Sequence, residues 1–307
     1  MRIAITGSTG LVGTMLRAQL EASGHHVEGI RRGAAGEPGA QWDPAREWIA
    51  EGTFEGCDAV VHLAGASIGE GRWTARRKRE LRGSRIDATR LLVSHLASLS
   101  SPPRTLISAS AVGYYGDRGD DVVDEAAEPG EGFLADLVRD WEAEALGAER
   151  LGIRVVTPRF GVILSRKGGA LPRMLLPIRL GVGGPLGSGQ QWMPWVTLAD
   201  TVRTLEFALI QDVEGALNVV APATTRNSDF MQALARALHR PAILPTPGFA
   251  LRLMLGQAAD ELLLASTRAV PARPIEAGFE FAHPTLGPAL DAVLRHSIAG
   301  SMEAASA

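Results

Sequence analysis

The hydrophobic pattern of the amino-terminal half alternates between short apolar runs and longer segments with helical spacing. Short aliphatic and β-branched runs bounded by turn residues are typical of buried strands. The longer segments place apolar residues at helical spacing, as Ile86, Leu91, Leu92 and Leu96 are placed, which is typical of one buried helix face. The predicted strands are Arg2–Thr6, His26–Ile30, Ala59–Ala64, Arg104–Ser108, Arg154–Pro158 and Ala216–Val220, and the predicted helices are Leu11–Ala22, Ser84–Leu99 and Phe133–Leu151.

The order of these elements predicts an α/β fold. Strands that alternate with helices form βαβ units, which place the strands in a mainly parallel, doubly wound sheet. After Pro158, residues 165–195 are rich in glycine and proline and are expected to form a loop that lines a cleft. From Pro222 the chain has helical spacing interrupted by prolines, which indicates a smaller, mostly helical C-terminal lobe. We therefore expect a doubly wound domain over 1–221, a substrate-binding lobe over 222–296 and a flexible tail over 297–307.

Composition narrows the class of protein. The net charge of -3 argues against nucleic-acid binding, and no apolar run approaches the ~18 residues of a membrane helix. The single cysteine, Cys57, cannot form an intrachain disulfide and suits a reducing compartment. The apolar start, Met1–Gly7, is too short for a signal peptide. We expect a cytoplasmic protein without a membrane or nucleic-acid partner, and the sequence leaves its oligomeric state open.

A glycine-rich loop joins the first predicted strand to the first predicted helix. Gly7 permits a tight turn, Gly10 lets the backbone approach a pyrophosphate, and Gly13 lets the helix pack closely on the strand. The N–H groups at the start of the helix would face the phosphates. This context predicts a Rossmann-type dinucleotide site, although a tight turn without a ligand is the alternative. The residues expected to contact the cofactor are Gly7, Ser8, Thr9, Gly10, Leu11, Val12 and Gly13.

The end of the second predicted strand indicates which dinucleotide binds. NAD enzymes usually carry an acidic residue there for the ribose 2′-hydroxyl, whereas this strand ends in Arg31 and Arg32. Two guanidinium groups suit a 2′-phosphate, so the sequence favours NADP(H) over NAD(H). Glu28 lies earlier in the strand and is expected to point elsewhere. The alternative for the arginine pair is a solvated strand end.

Motifs along nearly the whole chain, about residues 1–295, resemble the extended short-chain dehydrogenase/reductase superfamily. Within it they are similar to the atypical "epimerase family" proteins, which implies an NADP(H)-binding fold and a small-molecule substrate that is unassigned. Gln257 departs from the family, whose members often carry glutamate there. The segments that carry the resemblance include His62-Leu63-Ala64-Gly65-Ala66, Ser84-Arg85-Ile86, Ser108-Ala109-Ser110-Ala111-Val112-Gly113-Tyr114-Tyr115-Gly116, Pro158-Arg159-Phe160-Gly161-Val162, Trp192-Met193-Pro194-Trp195-Val196 and Gly278-Phe279-Glu280-Phe281.

The resemblance also implies site residues. Superfamily members use a tyrosine and a lysine four positions apart, and here those positions hold Phe133 and Leu137, neither of which can transfer a proton. The chain has two tyrosines and two lysines, none in that register. The usual hydride mechanism is therefore unsupported. The further residues expected to contact the cofactor are Leu63, Ala64, Gly65, Arg85, Ser108, Ala109, Pro158 and Arg159.

Three hydroxyl groups remain as catalytic candidates. Ser110 fits the superfamily's serine position, with a simple strand-end hydroxyl as the alternative. Tyr114 and Tyr115 follow at once and could bring a phenol near the nicotinamide, with packing of a loop as the alternative. Asp117, Asp136 and Glu142 are possible acids for proton transfer, although each alone is interpreted as a surface charge, and Trp141 is interpreted as a core residue.

Two other features bear on substrate. A basic stretch indicates either a solvated helix face or a field that attracts an anionic substrate, with Arg85 expected to face inward. Trp192 and Trp195 could line a substrate pocket or pack the lobes together. The histidines lack metal-ligand spacing. The basic stretch comprises Arg72, Arg76, Arg77, Lys78, Arg79, Arg82, Arg85 and Arg90.

Two functions therefore stay open. The first is an NADP(H)-dependent oxidoreductase or epimerase that acts on a small anionic molecule through a non-standard proton donor. The second is a non-catalytic NADP(H)-binding protein that senses redox state or regulates a partner.

Overall fold

A computed structural model describes residues 1–39, 41–242 and 244–303, with side chains through Arg295. The strands are β1 Arg2–Thr6, β2 His26–Ile30, β3 Trp42–Asp43, β4 Trp48–Ile49, β5 Ala59–His62, β6 Thr105–Ser108, β7 Ser110–Ala111, β8 Val122–Val123, β9 Arg154–Phe160, β10 Val162–Leu164, β11 Trp195–Thr197, β12 Gly215–Val219 and β13 Arg268–Ala269. The α-helices are α1 Leu11–Ala22, α2 Ala75–Arg82, α3 Ala88–Leu96, α4 Phe133–Leu146, α5 Leu171–Arg179, α6 Leu198–Ile210, α7 Asn227–Ala237, α8 Gly248–Leu255, α9 Gln257–Ala259, α10 Ala272–Glu276 and α11 Leu286–Glu303.

The centre of the molecule is a seven-stranded sheet in the order β12-β9-β6-β5-β1-β2, with β7 paired to β9. All of its pairings are parallel, as in β1 with β2 and β1 with β5. The strand order reverses at β1, because the chain places β2 on one side of it and β5 on the other. After the carboxyl ends of β1 and β5 the chain therefore continues in opposite directions, and open α/β sheets bind ligands in the crevice that this leaves.

The sheet is covered on both faces, as the predicted α/β class requires. Ile3 and Ile5 face a cluster that includes Leu16 of α1 and Leu205 of α6. Ala4, between them on β1, faces the opposite cluster with Leu92 of α3. Side chains of successive strand residues point to opposite faces, so a continuous apolar run buries both faces of the strand. The predicted fold class is confirmed.

Each of the six predicted strands is present, with ends shifted by at most two residues. The predicted helix Ser84–Leu99 is instead the second half of a longer helical run. That run begins with α2, passes through a π-helical turn at Gly83–Asp87 and continues as α3. The first part escapes prediction because Leu81 is the one buried residue of α2, so the arginine-rich sequence shows no apolar period.

Residues 165–195 are not wholly a loop, which corrects the prediction. They contain α5, whose Leu171, Leu175 and Ile178 are buried at helical spacing. The glycines and prolines around the helix conceal it in the sequence. The C-terminal region is mostly helical as expected, and α7 and α11 pack there through Phe230, Leu234 and Leu290. The domain boundary at residue 221 and the flexible tail over 297–307 stay predictions, and residues 304–307 lie outside the described part of the chain.

Two expected absences can be compared with the structure. Among the helices described, none is long and apolar enough to cross a membrane. The described side chains also contain no group of three or more His, Cys, Asp or Glu residues that could hold a metal ion.

His62, the last residue of β5, is fully buried where β5 pairs with the end of β1. Its Nδ1 lies 2.7 Å from the Thr6 hydroxyl, which ties β5 to β1 at their carboxyl ends. The ring meets Trp42 edge-on at 5.6 Å between centroids. Burial lowers the pKa of His62 from 6.5 to about 4, since the charged imidazolium loses its hydration.

This burial makes stability depend on pH with a definite sign. The unfolded chain binds the His62 proton more tightly than the folded one, so stability is complete above the unfolded pKa and falls as the pH drops towards about 4. Between about pH 7.5 and pH 5 we expect wild type to lose about 2 kcal/mol more unfolding free energy than His62→Gln. Urea unfolding of both proteins at each pH measures the difference, and equal losses would contradict the burial of a neutral His62.

Candidate dinucleotide site and the network beside it

The glycine-rich loop lies at the carboxyl ends of β1 and β5, where the chain leaves the two strands in opposite directions. Gly7 has φ +69°, and a Cβ atom there would lie 2.8 Å from the carbonyl carbon of Leu63. A Cβ atom on Gly13 would clash with the Gly7 carbonyl oxygen, whereas Gly10 meets nothing within 4 Å but that oxygen, at 3.2 Å. Gly7 and Gly13 therefore close the turn against the protein, and Gly10 leaves its outer side open.

Helix α1 presents its N-terminus to this opening. Gly10 is its N-cap and supplies no side-chain cap, and the first turn contains no acidic residue. The first N–H groups of a helix have no partner within the helix, so those of α1 can receive a phosphate. Ser8 and Leu11–Val12 belong to the same turn, and Thr9 is exposed at its tip.

The two arginines at the end of β2 stand at the rim of this site. Arg31 and Arg32 are exposed, and within the described part of the chain neither forms an ion pair. Glu28 is turned away, as expected, because its carboxylate lies 3.4 Å from the Arg2 guanidinium and accepts a 2.7 Å hydrogen bond from Gln41. The rim therefore offers two guanidinium groups and no competing acid from β2, which suits a 2′-phosphate.

Arg85 reaches the site from the π-helical turn Gly83–Asp87 and faces inward. It donates a 3.0 Å hydrogen bond to the Ala66 carbonyl, and a Cβ atom on Gly65 would lie 3.5 Å from its Cζ. Burial and the neighbouring charge of Arg77 lower its pKa to about 10. No described carboxylate pairs with it. It therefore places an uncompensated cation under the loop that follows β5.

Arg159 is held in a buried network beside the dinucleotide site, and its expected contact with the cofactor stays a prediction. It is 4% exposed, and both of its bonds to Glu142 measure 2.8 Å. Glu142 is equally buried, so its interpretation as a surface charge is wrong. Arg159 also donates a 2.9 Å hydrogen bond to the Tyr115 hydroxyl and stacks on the Tyr114 ring at 3.5 Å.

The same network occupies two of the candidate hydroxyl groups. Ser110 is 2% exposed and donates its proton to Glu142. Tyr115 is fully buried and donates a 2.7 Å hydrogen bond to Asn218, and burial raises its pKa to about 12. These contacts favour a packing role for both. Tyr114 differs, because it is half-buried and its hydroxyl has no partner among the described residues.

Phe133 and Leu137, which stand where the tyrosine and lysine would be, have different surroundings. Leu137 is fully buried in the core. Phe133 begins α4 and is half-buried at the edge of an apolar cluster that includes Leu63, Tyr114 and Phe160, at the strand ends. An apolar wall therefore replaces the usual proton-transfer pair.

Three polar residues form a connected series beside Phe133, and the sequence linked only one of them, Lys78 of the basic stretch, to a possible substrate. Glu261 accepts hydrogen bonds from the N–H groups of Phe133 and Leu134 at 3.3 and 2.6 Å, and so caps α4 from the C-terminal lobe. Gln257 donates a 2.6 Å hydrogen bond to Glu261 and accepts one from Lys78. Only the departure at Gln257 marked this turn in the sequence.

The remaining candidates have mainly structural contacts. Trp195 is buried in the C-terminal cluster. The Trp192 ring lies between two guanidinium groups, with its centroid 4.5 Å from Cζ of Arg226 and 4.4 Å from Cζ of Arg268. Ser108, Ala109 and Pro158 are buried, and the Ser108 hydroxyl has no partner among the described residues. In the basic stretch, Arg77, Arg82 and Arg90 form ion pairs, which favours the structural interpretation for those three. Trp141 is a core residue, as predicted.

The buried ion pair should be costly to break on one side only. Glu142→Gln leaves the Arg159 guanidinium opposite a neutral amide, so we expect a loss of about 3–5 kcal/mol in unfolding free energy. Asp136→Asn, on the same helix, removes an exposed pair with Arg139 and should change stability little. Urea unfolding measures both variants, and similar values for the two would show that the buried pair does not support the fold.

This chain matches a known protein family and several similar proteins along most of its length. Residues 3–220 match the NAD dependent epimerase/dehydratase family, and residues 246–293 match a domain of unknown function, DUF1731. An epimerase family protein of Mycobacterium tuberculosis is 44% identical over 290 residues, which cover 94% of this chain and 96% of that protein.

Solved structures support the same family. The crystal structure of human epimerase family protein SDR39U1 with NADPH has a TM-score of 0.87 and 36% identity, covering 95% of this chain and 99% of the human one. A nucleoside-diphosphate sugar epimerase from Corynebacterium glutamicum has a TM-score of 0.78 and 33% identity, covering 99% of this chain and 61% of that one. The protein thus belongs to the NAD dependent epimerase/dehydratase family, as an atypical extended short-chain dehydrogenase/reductase.

Proposed function

We propose that this protein binds NADP(H) at the crevice between β1 and β5. The observation that carries the proposal is the glycine turn over an uncapped helix N-terminus, with Arg31 and Arg32 at its rim, neither paired with an acid of the described residues. The crystal structure of the human relative with NADPH supports it. The N-terminus of α1 would hold the pyrophosphate and the two arginines the 2′-phosphate. The loop Leu63–Gly65, with Arg85 beneath it, would pass beside the nicotinamide half.

The proposed reaction is hydride transfer to or from a small, anionic molecule, as an oxidoreductase or an epimerase. NADP(H), when bound, supplies or accepts the hydride. Arg85 and Lys78 support an anionic substrate, because neither pairs with a described carboxylate. Of the three candidate hydroxyl groups, Tyr114 is the one with a free phenol beside the apolar wall.

A specific observation also favours the second function, an NADP(H)-binding sensor without catalysis. Ser110 and Tyr115 are held inside the buried network, and Phe133 presents a ring where a phenol would be expected. A sensor would bind NADP(H) and show no turnover with a panel of small carbonyl compounds. Steady NADPH oxidation with any of them would favour the enzyme.

The arginine pair makes cofactor preference measurable. We expect NADPH to bind at least about 10–100-fold more tightly than NADH, since even one charge-assisted hydrogen bond to the 2′-phosphate contributes ~1.5–3 kcal/mol. The double variant Arg31→Ala/Arg32→Ala should lose this preference while its affinity for NADH stays within about threefold. Calorimetric titration of both nucleotides measures the effect.

The matched control is Arg104→Ala. Arg104 is exposed immediately before β6, at the amino end of the strands and away from the site, so its removal lowers the net charge by one, half of the change in the double variant. Equal affinities of the wild type for NADPH and NADH, or equal effects of the two sets of variants, would overturn the assignment of Arg31 and Arg32.

A further inference from the structure

Lys78 carries an ammonium group that no described carboxylate neutralises. It is half-buried on α2, and its Nζ lies 4.8 Å from the centroid of the Phe133 ring. Its one hydrogen bond among the described residues goes to the neutral side-chain amide of Gln257. An ammonium has three N–H donors, so two of them remain free for a ligand.

The surface under this ammonium belongs to the cofactor crevice. Phe133 packs in the same apolar cluster as Leu63 and Phe160, which lie at the ends of β5 and β9. Leu63 is also the residue against which Gly7 makes its closest approach. Lys78 therefore stands over the wall that extends from the glycine turn along the carboxyl edge of the sheet.

Contacts from the C-terminal lobe fix the position of the amine. Gln257 joins Lys78 to Glu261, and Glu261 is bound to the start of α4. Gly132 has φ +107°, and a Cβ atom there would lie 3.2 Å from the Glu261 carboxyl carbon, so glycine permits this approach. The charge of Glu261 is directed to the helix N–H groups rather than to Lys78, with Gln257 as a neutral spacer.

We propose that Lys78 contacts the substrate beside the nicotinamide and holds the oxygen that carries negative charge as hydride is transferred. The ligand class is a small carbonyl or alcohol compound whose reacting oxygen faces the ammonium over the Phe133 ring. A fixed cation in a partly dry site stabilises such an oxyanion directly. This inference rests on the proposed binding of NADP(H).

Sulfite provides a probe that needs no knowledge of the substrate. Its sulfur lone pair forms a bond to C4 of the oxidised nicotinamide, the ring loses its positive charge, and a sulfonate remains at C4. The adduct absorbs in the near ultraviolet, so titration of the protein–NADP⁺ complex with sulfite reports the electrostatic environment of C4. Calorimetry with NADP⁺ alone measures cofactor binding separately.

In wild type we expect sulfite to bind the complex more tightly than it binds free NADP⁺. Lys78→Met should weaken adduct formation about tenfold or more while NADP⁺ affinity stays within about threefold. Lys78→Arg, which keeps the charge, should retain most of it. Gln257→Glu should weaken it about threefold or more, because a carboxylate would then pair with Lys78. Arg104→Met removes an exposed cation at the amino end of the strands and should have no effect on the adduct.

Gln257→Ala distinguishes charge from structure. It breaks the hydrogen bond between the lobes but keeps the ammonium, so the adduct should persist. The inference is overturned if Lys78→Met forms the adduct as wild type does, if Gln257→Ala loses it equally, or if wild type binds NADP⁺ and gains no affinity for sulfite. Failure to bind NADP⁺ at all would overturn the proposed function itself, and the calorimetry identifies that case.

Discussion

The buried ion pair between Arg159 and Glu142 is the interaction on which the arrangement of the site depends. It joins the end of β9 to the middle of α4 with two 2.8 Å contacts. A buried pair is tolerated only when its remaining donors and acceptors are satisfied, and here the hydroxyl groups of Ser110 and Tyr115 do this. The hydroxyl groups that satisfy the ion pair are therefore occupied by it. The pair also holds α4 in the position that places Phe133 at the strand ends.

Several cations on the helices and those near the crevice differ in their partners. Arg82 of α2 and Arg90 of α3 are paired with acids of α4. Those around the crevice, such as Arg32, Arg85 and Lys78, have no described acid beside them. A dinucleotide with a 2′-phosphate is polyanionic, so these cations are arranged as its binding requires.

Sequence reasoning predicted the fold well because the fold depends on local periodicity. β1 and β5, the two neighbouring strands beside the glycine turn, are almost wholly buried. The roles of Gly7 and Gly13 follow from steric limits that hold in any such turn. It failed for α2, where arginines hide the period, and for α5, where flanking glycines do.

The site was less predictable, because the local pattern of hydrophobic and polar residues does not determine where a side chain points or which distant residue it contacts. Glu142 is a charged residue on an amphipathic helix, and only the position of Arg159 on the facing strand makes it a core residue. Lys78 and Gln257 are 179 residues apart and meet only because the C-terminal lobe folds back over α2. No spacing rule along the chain brings such a pair together.

The missing tyrosine–lysine pair does not decide between an enzyme and a sensor, but the placement of charge bears on that choice. The proposed binding of NADP(H) rests on the glycine turn and the rim arginines, and neither depends on Lys78. Lys78 keeps its ammonium over the Phe133 ring, where it meets a neutral amide and no described carboxylate. The ring stabilises the cation and leaves its charge available to an anionic ligand. The contacts that fix Lys78 from both lobes therefore favour a substrate site, in which electrostatic stabilisation of an oxygen takes the place of proton transfer from a phenol.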